Sequence, residues 1–266
     1  MDVRSKQLRR LIVEMMEVEK RGHIGPALSL IEILRVLYDD ILKFDPKKPN
    51  WEDRDRLILS KGHGCLGLYS ILADKGFFPM DVLKTFGKPD SILGGHPERD
   101  KVPGVEASTG ALGHGLPIGV GIAIASKIKK KDFRVFVITG DGEINEGSVW
   151  EAALCASKHA LSNLTVIVDY NKLQSYGPTK EVLDLEPIMD KWMSFGFATV
   201  EVDGHNVSDL QTLFKSLPKD KNKPTAIIAH TIKGKGFPMA EGNPLWHHKN
   251  KISPEEFSAM YQSLEG

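Results

Sequence analysis

Apolar positions along the chain follow two different periods. Leu8, Leu11, Ile12, Met15 and Val18 recur at three- and four-residue spacing, which predicts an amphipathic helix near the amino terminus. Residues 133–139 form a continuous, largely β-branched run that reads as a buried strand, and 148–159 reads as the helix after it. Further strands are predicted at 56–59, 164–168, 198–202 and 225–230. Helices are predicted at 28–38, 65–75, 185–195 and 208–217, with a short helical tail at 254–264. Strands alternating with helices predict an α/β fold: a doubly wound, mostly parallel sheet with helices on both faces.

Other stretches interrupt this alternation. Residues 45–55, rich in Pro and charge, predict a loop, and 86–105, with its repeated Gly and Pro, predicts a long irregular segment. Loops of that length inside a domain are usually functional. The small residues Gly119, Gly121, Ala123 and Ala125 suit a buried helix over 116–125, packed closely against a sheet or another subunit. No internal repeat or low-complexity linker divides the chain.

Composition narrows the function classes. With 266 residues and 41% hydrophobic content the chain can bury a sizeable core, so 1–266 is expected to form one domain without a second. Thirty-five basic residues balance 35 acidic ones, which argues against attraction to nucleic acid or an anionic membrane as the main activity. The basic run at 127–131 reads as a solvated helix end. Cys65 and Cys155 have no partner at a metal-ligand or redox spacing, so a reduced, cytoplasmic protein is expected. The charged amino terminus has no secretory apolar region, and 116–125 is too short to span a bilayer.

The candidate chemistry lies at two predicted strand ends. Gly140-Asp141-Gly142 follows one strand and Asn171 follows the next, so both fall at the carboxyl edge of the sheet, where open α/β sheets bind ligands. Magnesium prefers six oxygens and takes only a few from protein, leaving the rest to phosphate and water. Asp141 supplies charge, Asn171 a neutral oxygen, and the Leu173 carbonyl a third ligand. Gly140 and Gly142 lack Cβ atoms, so a phosphate can approach the main chain. A lone Gly-Asp-Gly is more often only a turn. The flanking strands and the later Asn favour the metal.

His23, His63 and His96 each follow Gly in a loop-like setting, where a side chain can project into a cleft. A single histidine is otherwise more often a structural hydrogen-bonding group.

The segment GDGEINEGSVWEAALCASKHALSNLTVIVDYNK resembles the thiamin-diphosphate motif of transketolases. Further matches run along nearly the whole chain: Gly22-His23-Ile24-Gly25, Ser60-Lys61-Gly62-His63-Gly64, Gly94-Gly95-His96-Pro97-Glu98, the segment from Ser108 to Gly115, Lys233-Gly234-Lys235-Gly236, and Trp246-His247. Lys172 stands where the pattern usually has a second Asn, Ile24 where it has Pro, and His114 where it has Gln. The last two put the standard sugar-phosphate substrates in question.

The resemblance implies thiamin diphosphate held through Mg²⁺, with Asp141, Asn171 and Leu173 on the metal. His63, Gly110, Leu112, Gly142, Glu143, Asn171 and His247 would contact the cofactor, and His23 and His96 the substrate's hydroxyl and carbonyl groups. Glu146 either starts its helix, where the dipole favours a carboxylate, or lies at a subunit interface near the cofactor in a catalytic role. His114 either contacts cofactor or caps the following helix. His159, His205 and His230 are expected at the surface or in packing, and His248 beside His247.

In transketolases the carboxylate that activates the cofactor's pyrimidine belongs to a second domain, for which no α/β segment remains after the helical tail. The resemblance therefore implies the amino-terminal subunit of a split transketolase. A complementary pyrimidine-binding, carboxy-terminal subunit would complete an α2β2 assembly that moves a two-carbon ketol unit from a ketose, phosphorylated or otherwise activated, to an aldehyde. A thiamin-dependent lyase or 2-oxoacid decarboxylating component, and a non-catalytic cofactor-binding subunit, are the alternatives.

Overall fold

The computed structural model describes residues 1–175 and 177–265. Its strands are β1 (Arg56–Leu59), β2 (Val135–Gly140), β3 (Leu164–Tyr170), β4 (Ala198–Asp203) and β5 (Thr225–His230). They form one parallel sheet in the order β1-β2-β3-β5-β4. The helices, in chain order, are α1 (Val3–Glu19), α2 (Ile24–Leu28), α3 (Ile31–Val36), α4 (Cys65–Asp74) and α5 (Gly115–Ile128). They continue as α6 (Gly147–Lys158), α7 (Thr179–Val182), α8 (Ile188–Ser194), α9 (Val207–Lys215) and α10 (Pro254–Glu265).

Side chains alternate across the sheet with the two-residue period of a strand. Val135, Val137, Val166, Val168 and Ile228 pack with α5, α6 and α8 on one face. Phe136, Ile138, Ile167, Ile227 and Ala229 pack with α1, α3, α4, α9 and α10 on the other. Both faces being covered, β2 and β3 are buried along their full length, which is why they read as unbroken apolar runs. Residues 65 to 73 of α4 are all buried, as expected of a helix apolar all round.

One helix expectation is corrected. The helix predicted over 28–38 breaks at Ser29 and Leu30, giving α2, α3 and then a π-helical turn, Leu37–Ile41. Ser29 Oγ donates its one hydrogen to Asp169 Oδ2 at 2.6 Å and lies 3.0 Å from the Pro26 carbonyl, and this side-chain bond competes with continued helix. α5 packs on the sheet as expected, through one face. A Cβ on Gly119 would lie 2.5 Å from Val137 Cγ2, whereas Gly121 is exposed with no neighbour within 4 Å.

Register brings the site together. Gly140 pairs with Asp169 across β2 and β3, and Tyr170 with His230 across β3 and β5, so three strand ends lie side by side. From the other layer Arg9, fully buried on α1, binds Glu32 of α3 at 2.6 and 2.9 Å and the Lys235 carbonyl at 2.8 Å. That tie fixes the 233–236 loop against the helices.

Candidate functional site

At the end of β2 the chain turns into a short 3-10 helix, Gly142–Asn145. Asp141 Oδ1 accepts the Gly142 N–H at 2.8 Å, and Oδ2 accepts the Lys172 N–H at 2.6 Å, which pins this corner to the end of β3. Burial raises the Asp141 carboxyl to about 6, and the nearby Asp169 charge acts in the same direction. Asn171 Oδ1 accepts the Leu173 N–H at 3.2 Å, and the Leu173 carbonyl accepts the Lys233 ammonium at 2.5 Å. These oxygens retain further lone pairs.

The donor set fits a hard cation. Among the described residues no group of three or more His, Cys, Asp and Glu side chains could hold a metal. One buried carboxylate, one amide oxygen and one carbonyl form instead the sparse oxygen set that leaves positions for phosphate and water, as Mg²⁺ prefers. A divalent ion would also neutralise the carboxylate that burial destabilises.

Behind this corner lies a buried charge network. Asp169, fully buried, accepts hydrogen bonds from Ser29, Lys61, Asn171 and Thr231. Burial pushes its pKa up, but the Lys61 ammonium and these donors hold it below the ordinary carboxylate value. Lys233, 2% exposed, is lowered to about 8, first by burial and then by Lys61.

Two neighbouring clefts open here. One, of about 470 Å³, is lined by Lys61, His63, Leu112, Asp141, Gly142, Asn171, Leu173, Lys233 and His247. The other, of about 430 Å³, is lined by His23, His96, His248, Cys65, Arg21, Lys88 and Lys101. His23 joins them, with ring centroids 5.3 Å from His63, 5.4 Å from His247, 6.1 Å from His96 and 4.5 Å from His248. Burial, then neighbouring cations and histidines, lowers His23 to about 4 and His247 to about 3, and lowers His63 strongly. His96 is lowered by burial alone. His23, His63 and His247 are therefore neutral at physiological pH, suited to hydrogen bonding with hydroxyl and carbonyl groups.

Most of the residues singled out in the sequence meet in these two clefts. Gly110 lies at φ +131°, in contact with the His96 ring, where a Cβ would come within 2.6 Å. Glu146 is exposed at the start of α6, on the rim of the first cleft, and makes no side-chain cap. His114 likewise makes no side-chain cap and bonds the Leu112 carbonyl at 3.0 Å. Glu143 lines the cleft, yet its carboxylate turns inward to Ser60, to the Gly113 N–H at 3.0 Å and to the Gly140 N–H at 2.9 Å. Any side-chain contribution there is a brace for the turn. His205 serves packing, bonding Glu32 at 2.9 Å and the Ile232 N–H at 2.8 Å.

Sequence reasoning passed over Lys61, Lys233, Asp169 and the part His248 plays in the histidine cluster. Each lysine stands directly before a glycine, Lys61-Gly62 and Lys233-Gly234, and that, like an Asp ending an apolar strand, is the signal the sequence carries.

The family described as "Transketolase, thiamine diphosphate binding domain" matches residues 3–264. An apulose-4-phosphate transketolase subunit of Phocaeicola vulgatus is 44% identical over 248 residues, 93% of this chain and 88% of that protein. A 6-deoxy-6-sulfo-D-fructose transketolase subunit of Clostridium sp. is 40% identical over 258 residues, 97% of this chain and 94% of that protein. Among solved structures, transketolase from Campylobacter jejuni superimposes with a TM-score of 0.92 at 31% identity, covering 98% of this chain but 42% of that one. This chain thus spans less than half the length of that structure. With the family matched from residue 3 to residue 264, the chain belongs to the transketolase family, as its thiamine diphosphate binding domain.

Proposed function

We propose that this chain is the diphosphate-binding subunit of a two-chain transketolase, a transferase that moves a two-carbon ketol unit from a ketose to an aldehyde with thiamin diphosphate and Mg²⁺. The observation that carries the reading is the convergence of the Asp141–Asn171 oxygen corner with Lys61, Lys233, His63 and His247 in one cleft, beside a second cleft walled by His23, His96 and His248. Asp141, Asn171 and the Leu173 carbonyl hold the metal; the two lysines, His63 and His247 surround the diphosphate. Gly142 keeps the turn slim, since a Cβ there would meet the Gln174 side chain at 2.8 Å. When bound, the cofactor supplies the electron sink for carbon–carbon cleavage.

His23 and His96 orient the donor's hydroxyl and carbonyl groups, and their neutral state lets each ring both donate and accept. Of the cations in that cleft, Arg21 pairs with Glu19 at 2.5 Å and Lys101 with Glu98 at 3.1 Å, and Lys88, which has no ion pair among the described residues, supports a donor with an anionic end. The named substrates of the two relatives carry a phosphate and a sulfo group. Because those relatives are subunits, we assign the pyrimidine pocket, its activating carboxylate and the α2β2 partnership to a complementary chain. Glu146, exposed on the cleft rim, is placed to meet that partner. Such a histidine-walled donor cleft is of little use to a 2-oxoacid decarboxylating component, which favours ketol transfer.

The test is reconstitution. This chain and its complementary subunit, purified separately and then mixed with Mg²⁺ and thiamin diphosphate, are assayed against phosphorylated and unphosphorylated ketoses. Ketol transfer is expected only in the mixture, together with a rise in mass by light scattering. Turnover by the single chain would overturn the division of labour, and 2-oxoacid decarboxylation without ketol transfer would overturn the reaction.

A further inference from the structure

We propose that Asp169 is a positioning residue whose carboxylate decides which end of the Asn171 side chain faces the metal; the inference rests on the function proposed above. Asn171 is useful to a cation only through its oxygen. An amide side chain can turn over, presenting its NH2 group instead, and only its surroundings fix the choice. Here the surroundings are one-sided. Asn171 Nδ2 donates to Asp169 Oδ2 at 3.3 Å, and the same oxygen accepts from Ser29 Oγ at 2.6 Å and from the Lys61 ammonium. Thr231 occupies the other carboxylate oxygen.

An ionised carboxylate is an acceptor only, so every group around it must donate. Reversing the amide would set its oxygen against that carboxylate in a site that water does not reach, Asp169 being 0% exposed. The NH2 end is held inward, and the oxygen is delivered outward. There the Leu173 N–H occupies one lone pair at 3.2 Å and works in the same sense, leaving the other lone pair for the cation.

A neutral amide at 169 would not enforce this choice, because it offers both a donor and an acceptor. Asp169 thereby joins two parts of the site. It holds Lys61 on the wall of the diphosphate cleft while it sets the metal ligand two residues further along the chain.

The test follows Mn²⁺ bound by the full chain in saturating thiamin diphosphate, through loss of the free-ion EPR signal. Asp169→Asn should weaken Mn²⁺ binding by about tenfold or more, the range found when groups that orient metal ligands are lost. Ser29→Ala and Thr231→Val take one hydrogen bond each from the same carboxylate without touching Asn171. They should lower the melting temperature yet keep Mn²⁺ affinity within about threefold. A second readout needs no altered Asp169: the Asn171 side-chain NH2 signal, identified by its loss in Asn171→Ala, should exchange slowly with solvent in the parent chain. Parental Mn²⁺ affinity in Asp169→Asn, an equal loss in Thr231→Val, or rapid NH2 exchange would each overturn the proposal. A parent chain that binds no thiamin diphosphate with metal would count against the proposed function, while the amide exchange would still decide this inference.

Discussion

Lys172 sits at φ +65°, a left-handed conformation that costs a residue with a Cβ about 1–2 kcal/mol and Asn less. The geometry explains why the chain accepts that cost: in this conformation the Lys172 N–H reaches Asp141 Oδ2, and its carbonyl accepts the Thr179 N–H at 3.0 Å. The transketolase pattern has Asn at this position. Lys172→Asn is therefore expected to stabilise the chain by about 0.5–1 kcal/mol in urea denaturation, after loss of the weak contact between the Lys172 ammonium and the Tyr170 ring. Asp141 behaves differently, as the charged member of the proposed metal set. Asp141→Ala is expected to abolish Mg²⁺-dependent binding of thiamin diphosphate in calorimetric titration while the fold survives. Since the carboxyl is held at about 6, protons compete with the metal below that value. Affinity for cofactor in Mg²⁺ should fall as pH drops through 6, and weaken again above about 8 as Lys233 loses its proton.

Two glycines on α5 make opposite forecasts from the same substitution. Gly119→Ala gains helix propensity but drives a methyl into Val137, so a net loss of about 1–3 kcal/mol is expected. Gly121→Ala meets no neighbour and should gain up to about 1 kcal/mol in the isolated chain. Chemical denaturation of both variants tests the packing of α5 on the sheet. The histidine-bearing loops set the response to acid. His23 and His247 are held at about 4 and about 3, below the ordinary 6.5, so the unfolded chain takes up protons before the folded one does. The stability they contribute is whole above about pH 6.5 and is lost as pH falls toward 4. Melting temperatures should decline across that window, and His23→Asn should flatten the decline.

For the molecule as a whole, the parallel sheet was readable because β2 and β3 are buried on both faces and leave unbroken apolar runs in the sequence. Gly140, Asp141 and Asn171 were readable because they end those runs. The charge network behind them was not. Lys61, Asp169 and Lys233 are residue types that mostly lie at the surface, and only the folded chain reveals that three strand ends and α2 close around them. The break at Ser29 was hidden for the same reason, since the carboxylate that Ser29 binds lies far along the sequence in β3. Glu143 carried a motif position whose backbone turn was legible, while the inward course of its side chain depends on Ser60 and Gly113.

Gly22 and Lys249 exchange both backbone hydrogen bonds, at 2.9 and 3.0 Å. This bridge sets His23 against His248, and those two residues come from opposite ends of the sequence. A nascent chain that has emerged just past β3 already carries Asp141, Asn171 and Leu173, but His247, His248 and the bridge partner of Gly22 have yet to be made. Contacts of such long sequence separation close late in folding. The three oxygen ligands are therefore synthesised before the side chains that brace and wall them, Thr231, Lys233 and His247. During synthesis both clefts wait on the last part of the chain, since Lys233 and His247 close the diphosphate wall and His248 closes its neighbour, so an interrupted chain has the ligands without the pocket.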